Sequence, residues 1–270
     1  MDLQTGNVAV FGIPRNTAET PLGKKTSAAL KEKTYHDTIN SLYTAASRHP
    51  EIATDGGDPG AEAVRETASL MLGIPIDYYV VVNLMGLVDM VDAFGGIDVN
   101  VGARLHLWTP GLTPDDPEHD YYLDPGIHHL DGLQALDFAR SRKDADDYAR
   151  MGRQRCVLMG LLYQNSLAKL TLGFPNIAAA LQKNVTTDIP VGALPQLVKL
   201  RSTVNAGEMI SLGLGPPDYV TDLNSDGYNI PNTELIKSAV QEIITHPDRW
   251  IADHSQPTTG GVSDCYAVAG

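Results

Sequence analysis

The feature that most constrains the fold is a regular alternation of strand-like and helix-like segments along the chain. Short runs rich in β-branched and aromatic residues predict strands, and longer segments with a helical period of apolar residues predict helices. The predicted strands are Val8–Ile13, Asp77–Asn83, Ile97–Val101 and Met209–Leu214. The predicted helices are Thr38–Ser47, Pro59–Leu72, Leu84–Phe94, Leu130–Phe138, Arg150–Leu170, Pro175–Lys183, Val191–Leu200 and Thr233–Thr245. This alternation predicts an α/β fold in which a mainly mixed central β-sheet is sandwiched by helices.

The length and the remaining segments indicate the domain organisation. A chain of 270 residues can bury a large core, and we predict a single domain over residues 1–250 with a flexible tail over residues 251–270. Residues Leu107–Gly126 contain four prolines and several acids, which predicts a surface loop. No run approaches about 18 uninterrupted apolar residues, and residues 1–6 are neither basic nor apolar, so we expect no membrane span and no signal peptide in this sequence.

A cluster of arginines is the strongest functional signal. Five arginines lie within sixteen residues, although the formal net charge of the chain is −13. They are Arg140, Arg142, Arg150, Arg153 and Arg155. A guanidinium group is always charged and can hold two phosphate oxygens at once, so a cluster of this kind indicates an anion site.

The spacing of these residues supports an anion site. Arg140 and Arg142 are two residues apart, which places both on one side of an extended segment. Arg150 and Gln154 are four residues apart and share one face of a helix, with Arg153 beside them. The alternative is a solvated basic helix whose arginines pair with nearby acids. Those acids are Asp144, Asp146 and Asp147.

Several segments, in order along the chain, resemble the LytR-CpsA-Psr family. Phe11–Thr17 is similar to the "PRD" strand end of that family, and Leu130–Leu136 with Arg140–Arg142 resembles its "LDGEQAL…RSR" block. Asp147–Gln154 is similar to its "DFxRxxRQ" block. The other similar segments are Ile39–Ala46, Tyr78–Asp89 and Asp92–Val99. Each motif alone is weak, and their shared order from about residue 8 to residue 190 makes the resemblance specific.

The resemblance implies an extracytoplasmic phosphotransferase of the bacterial cell envelope. Members of the family move a glycopolymer from a polyprenyl-(pyro)phosphate carrier onto a peptidoglycan hydroxyl, and their α/β fold has an apolar tunnel for the lipid. The implied partners are the lipid-linked glycopolymer, peptidoglycan and, through the lipid, the membrane. Phosphoryl transfer requires cations fixed where charge develops on the phosphate oxygens, which agrees with the arginine cluster.

The resemblance also implies residue roles at the matching motif positions. The implied catalytic residues are Arg15, Arg140, Arg142 and Asp147. The implied diphosphate-binding residues are Arg140, Arg142, Arg150, Arg153 and Gln154. In this scheme Arg15 closes the site, and Asp147 holds Arg150 or Arg142 in place rather than acting as a base.

The chain departs from the family at its metal ligands. The second metal-linked carboxylate of the family, the acid of "PRD", is Asn16 here. The family cofactor is Mg2+, which usually takes one or two carboxylates plus phosphate oxygens, whereas an amide oxygen contributes no charge. The strand that carries the first aspartate of the family does not precede Val8, and neither does a membrane anchor. We expect the reading frame to extend upstream of Met1 through both.

Three rival functions require different chemistry. A divergent member with impaired catalysis would bind polyprenyl-phosphate lipids or polysaccharide. A transcriptional attenuator would need a basic recognition helix, and a net charge of −13 argues against nucleic acid as a partner. A pure polysaccharide-binding module would display several aromatic side chains on one face, and the chain has only two Trp and four Phe.

Two further motifs resemble metal sites. Asp222–Gly227 copies the first half of a calcium loop, but Thr233 occupies the position of the bidentate glutamate, so the pattern favours a polar hairpin turn. His119, His128 and His129 have zinc-ligand chemistry but lie in or beside a Pro-rich segment without cysteine partners.

The helix that carries the last arginines also has an apolar stripe. The stripe consists of Val157, Leu158, Leu161 and Leu162. It suits core packing or, by the resemblance, the wall of a lipid tunnel. The chain has two cysteines, Cys156 and Cys265, which either pair in an extracytoplasmic compartment or remain a buried thiol and a free tail thiol.

Overall fold

A computed structural model of the protein describes residues 8–54, 56–111, 117–141, 143, 147–163, 184–193 and 209–253. The chain divides into two compact units. The single domain predicted over residues 1–250 stays a prediction. Unit 1 consists of Met1–Val81 and Thr186–Ser255, and unit 2 consists of Val82–Val185 and Gln256–Gly270. Each unit has its own buried core, so each is described by itself.

Helices and strands alternate along the chain, which confirms the predicted α/β class. The strands are Val8–Gly12 (β1), Thr20–Pro21 (β2), Thr34–Tyr35 (β3), Val80–Val82 (β4), Ile97–Val101 (β5), Leu105–Thr109 (β6), His119–Leu123 (β7), Gly126–Leu130 (β8), Val185–Thr187 (β9), Met209–Gly213 (β10), Val220–Leu223 (β11) and Asn229–Pro231 (β12). The helices are Lys24–Leu30 (α1), Ile39–Ala46 (α2), Pro59–Leu72 (α3), Leu84–Ala93 (α4), Gly132–Arg140 (α5), Asp147–Tyr163 (α6), Thr233–Thr245 (α7) and Pro247–Asp253 (α8). Short 3-10 turns occur at Pro50–Ile52 and Val191–Ala193.

Unit 1 combines a parallel strand pair with packed helices. β1 pairs in parallel with β10, with Val8 opposite Met209, while β11 pairs antiparallel with β12. Helix α3 packs against both α2 and α7. The largest fully buried side chains of this unit are Leu42, Ile52, Met71, Leu214 and Ile236. Each of these large apolar side chains contributes about 1.5–3 kcal/mol when fully buried.

The described residues of unit 2 form two antiparallel strand pairs and three helices. β5 pairs with β8, and β6 pairs with β7. Helix α5 packs against α4 and α6, and α6 also contacts β5. The largest fully buried side chains of this unit are Val91, Ile97, Val99, Leu107, Leu130, Leu136 and Met159.

The predicted surface loop Leu107–Gly126 is wrong at both ends. Leu107 is fully buried (0% exposed) and lies opposite Tyr121 in the β6–β7 ladder. Alternate residues of both strands face the core, which is the period of a half-buried strand. The described prolines of this range lie outside the strands, where the missing N–H breaks no ladder hydrogen bond.

The apolar stripe on α6 divides between core and surface. Val157 and Leu161 are buried in the unit 2 core, while Leu158 is 45% exposed. The side chain of Leu162 lies outside the described residues. Cys156 is disulfide-bonded, and Cys265, the other cysteine of the chain, lies outside the described residues.

The predicted C-terminal segments are only partly described. α8 continues to Asp253, three residues into the predicted tail 251–270, and the rest of that tail lies outside the described residues. The predicted helix Pro175–Lys183 and most of Val191–Leu200 also lie outside them. Among the described residues, none of the helices combines the length and apolar character that a bilayer crossing requires.

Candidate functional site

Unit 1 contains a cavity of about 490 Å³ between the end of β1, helices α2 and α3, and the segment that leads into β4. Its apolar lining residues are Ile13, Ile39, Ala61, Val64, Ala68, Ile76, Val80 and Val81. Its polar lining residues are Arg15, Asn40, Tyr43, Arg65, Tyr78 and Tyr79. A mainly apolar cavity with a few polar groups is the usual form of a small-ligand site.

Arg15 is a cation that lines this cavity and is available to bind a ligand. It follows β1, is exposed, and forms no ion pair or side-chain hydrogen bond with any described residue. Its backbone carbonyl accepts the N–H of Asn40 at 3.3 Å, which fixes the two residues side by side. Arg65 differs, because its guanidinium donates to Glu62 and to the carbonyl of Ile76 at 2.7 Å. The hydrogen bond to Glu62 raises the pKa of Arg65. The guanidinium of Arg65 is thus already bound to groups of the protein.

A hydrogen-bonded trio braces one wall of the cavity. The hydroxyl of Tyr43 donates to Oδ2 of Asp58 at 2.6 Å, and the backbone N–H of Asp58 donates to the hydroxyl of Tyr79 at 3.0 Å. Oδ1 of Asp58 accepts the N–H groups of Gly60 and Ala61 at 2.9 and 3.1 Å, which caps α3. The hydrogen bond to Asp58 is the main reason that the pKa of Tyr43 rises to about 12. Asp58 therefore holds two cavity tyrosines to the start of α3.

In unit 2, helix α5 carries the first arginine of the cluster. Its N-terminus is closed by a capping box, in which Asp131 accepts the N–H of Gln134 at 2.9 Å and donates its own N–H to the Gln134 side chain at 3.1 Å. Arg140 is the last residue of α5. Its Nη1 atom is buried and has no hydrogen-bond partner among the described residues. A buried donor without a partner is costly, so this position suits an anion.

Helix α6 places further predicted ligands against the end of α5. Arg150 is only 7% exposed. Arg153 donates to two backbone carbonyl groups at the end of α5, and Nε2 of Gln154 donates to a third, that of Ala139, at 3.3 Å. Burial lowers the pKa of Arg155. The structure thus brings Arg140, Arg153 and Gln154 together at one helix terminus.

Several predicted site residues do not take part in these contacts. Arg142 lies outside the described residues, and so do Asp144 and Asp146 of the alternative ion pairs. Asp147 begins α6, and its side chain lies outside the described residues. Arg15 belongs to unit 1, whereas the arginine cluster belongs to unit 2. The predicted roles of these residues therefore stay predictions.

The described residues do not fit the Mg2+ site that the resemblance implies. Oδ1 of Asn16 accepts a hydrogen bond from Nδ2 of Asn229 at 3.3 Å, and the N–H of Asn229 donates to the Asn16 carbonyl at 3.0 Å. In the part of the chain that the structure describes, no three His, Cys, Asp or Glu side chains gather to hold a metal ion. Asn16 is therefore engaged in a structural amide pair, and we derive no reaction step through a metal.

The three histidines with zinc-ligand chemistry have separate partners. Nδ1 of His119 lies 2.8 Å from the buried carboxylate of Asp137. Nδ1 of His129 lies 2.7 Å from Asp98, and Nε2 of His128 lies 2.6 Å from a backbone carbonyl. Each ring thus has its own neighbour in unit 2.

The hairpin turn predicted at Asp222–Gly227 is confirmed. β11 and β12, which flank it, pair antiparallel. Oδ1 of Asn224 accepts the N–H groups of Asp226 and Tyr228 at 3.1 and 2.9 Å, so this side chain stabilises the turn itself.

Several residues that shape these sites carry no functional signal in the sequence. Asp58 stands directly before Pro59, which is an N-cap signal, but nothing in the sequence links it to Tyr43 or Tyr79. Ser141 stands between two arginines, and its contacts depend entirely on tertiary structure. No local pattern distinguishes such residues from ordinary polar ones.

Comparison with known proteins identifies the family. The fold is that of an α/β protein in which two arginine-bearing helices, α5 and α6, pack together, and the model of the LytR_cpsA_psr family matches residues 1–236. This match covers most of the chain, so the protein belongs to the LytR_cpsA_psr family. The resemblance inferred from the motifs is thereby confirmed.

Several of the similar curated proteins are named polyisoprenyl-teichoic acid–peptidoglycan teichoic acid transferases. TagU of Bacillus cereus (strain AH820) is 30% identical over 188 residues, which cover 69% of this chain and 51% of TagU. TagV of Bacillus subtilis (strain 168) is 28% identical over 254 residues, which cover 92% of this chain and 59% of TagV. The crystal structure of B. subtilis TagV aligns with a TM-score of 0.62 and 26% identity, covering 90% of this chain and 85% of that one. The chain thus spans just over half the length of these curated relatives.

Proposed function

We propose that this protein is a phosphotransferase that moves a glycopolymer from a polyprenyl-(pyro)phosphate carrier onto a peptidoglycan hydroxyl at the extracytoplasmic face of a bacterial membrane. The observation that carries the proposal is the unit 1 cavity, which combines an apolar lining with the available cation Arg15. An isoprenoid chain needs such a lining, and a phosphate needs such a cation. The names of the TagU and TagV relatives support the glycopolymer and the acceptor.

The proposed reaction exchanges one P–O bond for another. The hydroxyl oxygen of peptidoglycan attacks the phosphorus that bears the glycopolymer, and the bond from that phosphorus to the bridging oxygen breaks. Polyprenyl phosphate leaves with the bonding electron pair, and the hydroxyl proton passes to solvent. Little covalent work falls to the protein in such a transfer, so fixed positive charge is its main contribution.

In this proposal the arginine cluster, by its motif positions, supplies fixed charge in addition to that of Arg15. Arg140 binds a phosphate oxygen through its buried Nη1, which has no other hydrogen-bond partner among the described residues. Arg142 adds a second guanidinium by its motif position, while Arg150 and Gln154 orient the diphosphate from α6. Asp147 holds a neighbouring arginine in place.

A second candidate function is lipid-phosphate binding without turnover. The observation that favours it is Asn16, whose amide oxygen is bonded to Asn229 instead of contributing a carboxylate to the site. Both candidates share the lipid-diphosphate ligand, and they differ in whether polyprenyl phosphate is released.

A membrane anchor upstream of Met1 remains part of the proposal.

The proposed ligand chemistry is tested by comparing ligands that carry the lipid tail, the diphosphate, or both. We expect the protein to bind geranylgeranyl diphosphate more tightly than either geranylgeraniol or inorganic pyrophosphate. Arg15→Ala should weaken diphosphate binding by about three- to tenfold, because an exposed charge-assisted hydrogen bond is lost, and should leave geranylgeraniol binding unchanged. Isothermal titration measures all three ligands.

Arg48→Ala is the matched control, since Arg48 is an exposed arginine of unit 1 that does not line the cavity. It should bind all three ligands as the parent does. Equal affinities of the parent for geranylgeranyl diphosphate and geranylgeraniol would contradict a lipid-phosphate site.

A further inference from the structure

We propose that Arg153 is a positioning residue that fixes Arg140 at the end of α5, rather than a ligand of the substrate phosphate as its motif position predicts. This inference rests on the proposed function, because it assigns Arg153 a role toward a residue of that same site. It differs in mechanism, since Arg153 acts through backbone contacts with the protein and not through the substrate.

The first observation is where the guanidinium of Arg153 points. Its Nε donates to the carbonyl oxygen of Phe138 at 2.8 Å, and its Nη2 donates to the carbonyl oxygen of Ser141. The last carbonyl groups of a helix have no partner within the helix, and cations are favoured near that terminus. Arg153 therefore caps the C-terminus of α5.

The second observation is that the same terminus is held from its other side. Ser141 is only 1% exposed, and its hydroxyl donates to the carbonyl of His106 at 3.1 Å while it accepts the N–H of Trp108 at 3.1 Å. Both partners belong to β6. The residue directly after Arg140 is thus bonded to α6 through its carbonyl and to β6 through its side chain.

The consequence is that Arg140 lies between two anchored residues. Phe138 and Ser141 flank it, and their carbonyl groups are bound by one side chain that is itself only 9% exposed. A shift of the Arg140 backbone would break these bonds. An ordered guanidinium loses less conformational entropy when it binds phosphate, so the cap contributes to affinity without touching the ligand.

In this geometry Arg153 cannot grip a phosphate side-on through its Nε and Nη2 atoms. A two-pronged grip on a phosphate needs adjacent N–H groups of the guanidinium. Two of its nitrogen atoms, Nε and Nη2, already donate to backbone carbonyls of the protein. Releasing them would leave buried carbonyl groups without a partner, which is costly.

A double-mutant cycle between Arg153 and Arg140 tests the proposal, with geranylgeranyl diphosphate as the titrated ligand. Arg153→Met retains an apolar stem but removes the donors, and we expect it to weaken binding about fivefold in the parent protein. In an Arg140→Ala background the same change should cost less than about twofold, because residues that act through one another are not additive. Arg153→Lys should rescue only in part, since one ammonium cannot reproduce the fork.

Ser141→Ala provides a second probe of the same terminus. It removes one oxygen atom and should weaken binding about threefold in the parent and hardly at all in the Arg140→Ala background. If Arg153→Met fails to fold, Arg153→Lys replaces it in the cycle, and its partial loss should likewise disappear in the Arg140→Ala background. Arg104→Ala, which removes an exposed unit 2 arginine paired with Asp124 at 3.3 Å, is the charge-matched control and should change nothing.

The outcomes distinguish a failure of the positioning role of Arg153 from a failure of the proposed function. If the losses from Arg140 and Arg153 multiply, Arg153 is an independent ligand, and the positioning role is overturned while the proposed function stands. If Arg140→Ala leaves the affinity unchanged, the phosphate role of the cluster fails, and the positioning role fails with it. The inference is supported if Arg153→Met weakens binding in the parent protein and has little effect in the Arg140→Ala background.

Discussion

Arg140→Ala is expected to weaken the binding of geranylgeranyl diphosphate by about ten- to a hundredfold while the protein remains folded, because a charge-assisted hydrogen bond is worth about 1.5–3 kcal/mol. The buried Nη1 of Arg140 has no other described partner, so its loss should affect the ligand and not the core. Arg142→Ala should have a similar effect by the motif. Lysine at either position should rescue only partly, since it provides a point charge in place of a fork.

Arg104→Ala is the control for this prediction, because Arg104 lies in unit 2 outside the cluster. The alternative of a solvated basic surface makes the opposite forecast, in which the melting temperature changes slightly and the affinity does not change. Titration and thermal unfolding of the three alanine variants measure both quantities. Equal affinities across Arg140→Ala, Arg142→Ala and Arg104→Ala would end the phosphate-binding role of the cluster.

Ala68→Phe should abolish most lipid binding by filling the unit 1 cavity. Ala68 lies on α3 and lines the cavity, so a phenyl ring there occupies volume that an isoprenoid chain would need. Each methylene kept out of an apolar site costs about 0.8 kcal/mol, so excluding a few carbons should weaken geranylgeranyl diphosphate binding by about thirtyfold. Binding of inorganic pyrophosphate should be unchanged, because that ligand has no tail.

Leu70→Phe is the matched control on the same helix. Leu70 is 43% exposed and does not line the cavity, so an aromatic ring there should leave both affinities as in the parent. An unchanged affinity of Ala68→Phe for geranylgeranyl diphosphate, in a protein that is folded, would show that the tail does not occupy this cavity.

The elements that the sequence predicts well are those with strong end signals. α3 matches the predicted Pro59–Leu72, because Asp58 provides an N-cap and Gly73 adopts the left-handed conformation (φ 71°) that ends the helix. α7 and β5 also match their predicted bounds. The failure at Leu107–Gly126 has a physical reason, since five-residue strands such as β6 and β7 are stabilised by cross-strand pairing that no local window contains.

The candidate site was also predictable only in part. Motif positions in the sequence are enough to direct attention to Arg15, Arg140 and Gln154. The partners of these residues are not predictable, because Arg153 bonds to backbone carbonyl groups, and every residue has one. Asp137 is a further case, since this buried carboxylate accepts the hydroxyl of Thr109 at 2.5 Å and lies beside His119, contacts that only the tertiary structure creates.

The measurement that tests the central claim most directly is turnover of a polyprenyl-diphosphate-linked oligosaccharide with a peptidoglycan oligomer as acceptor. Product formation is followed by mass spectrometry in Mg2+ and in EDTA, with Arg140→Ala as the impaired control. The phosphotransferase proposal predicts that polyprenyl phosphate is released and that the oligosaccharide becomes phosphodiester-linked to the acceptor in at least one of the two conditions, and that Arg140→Ala slows both. Tight binding of the lipid-linked oligosaccharide, with no polyprenyl phosphate released in either condition, would contradict an enzyme and establish the protein as a binder.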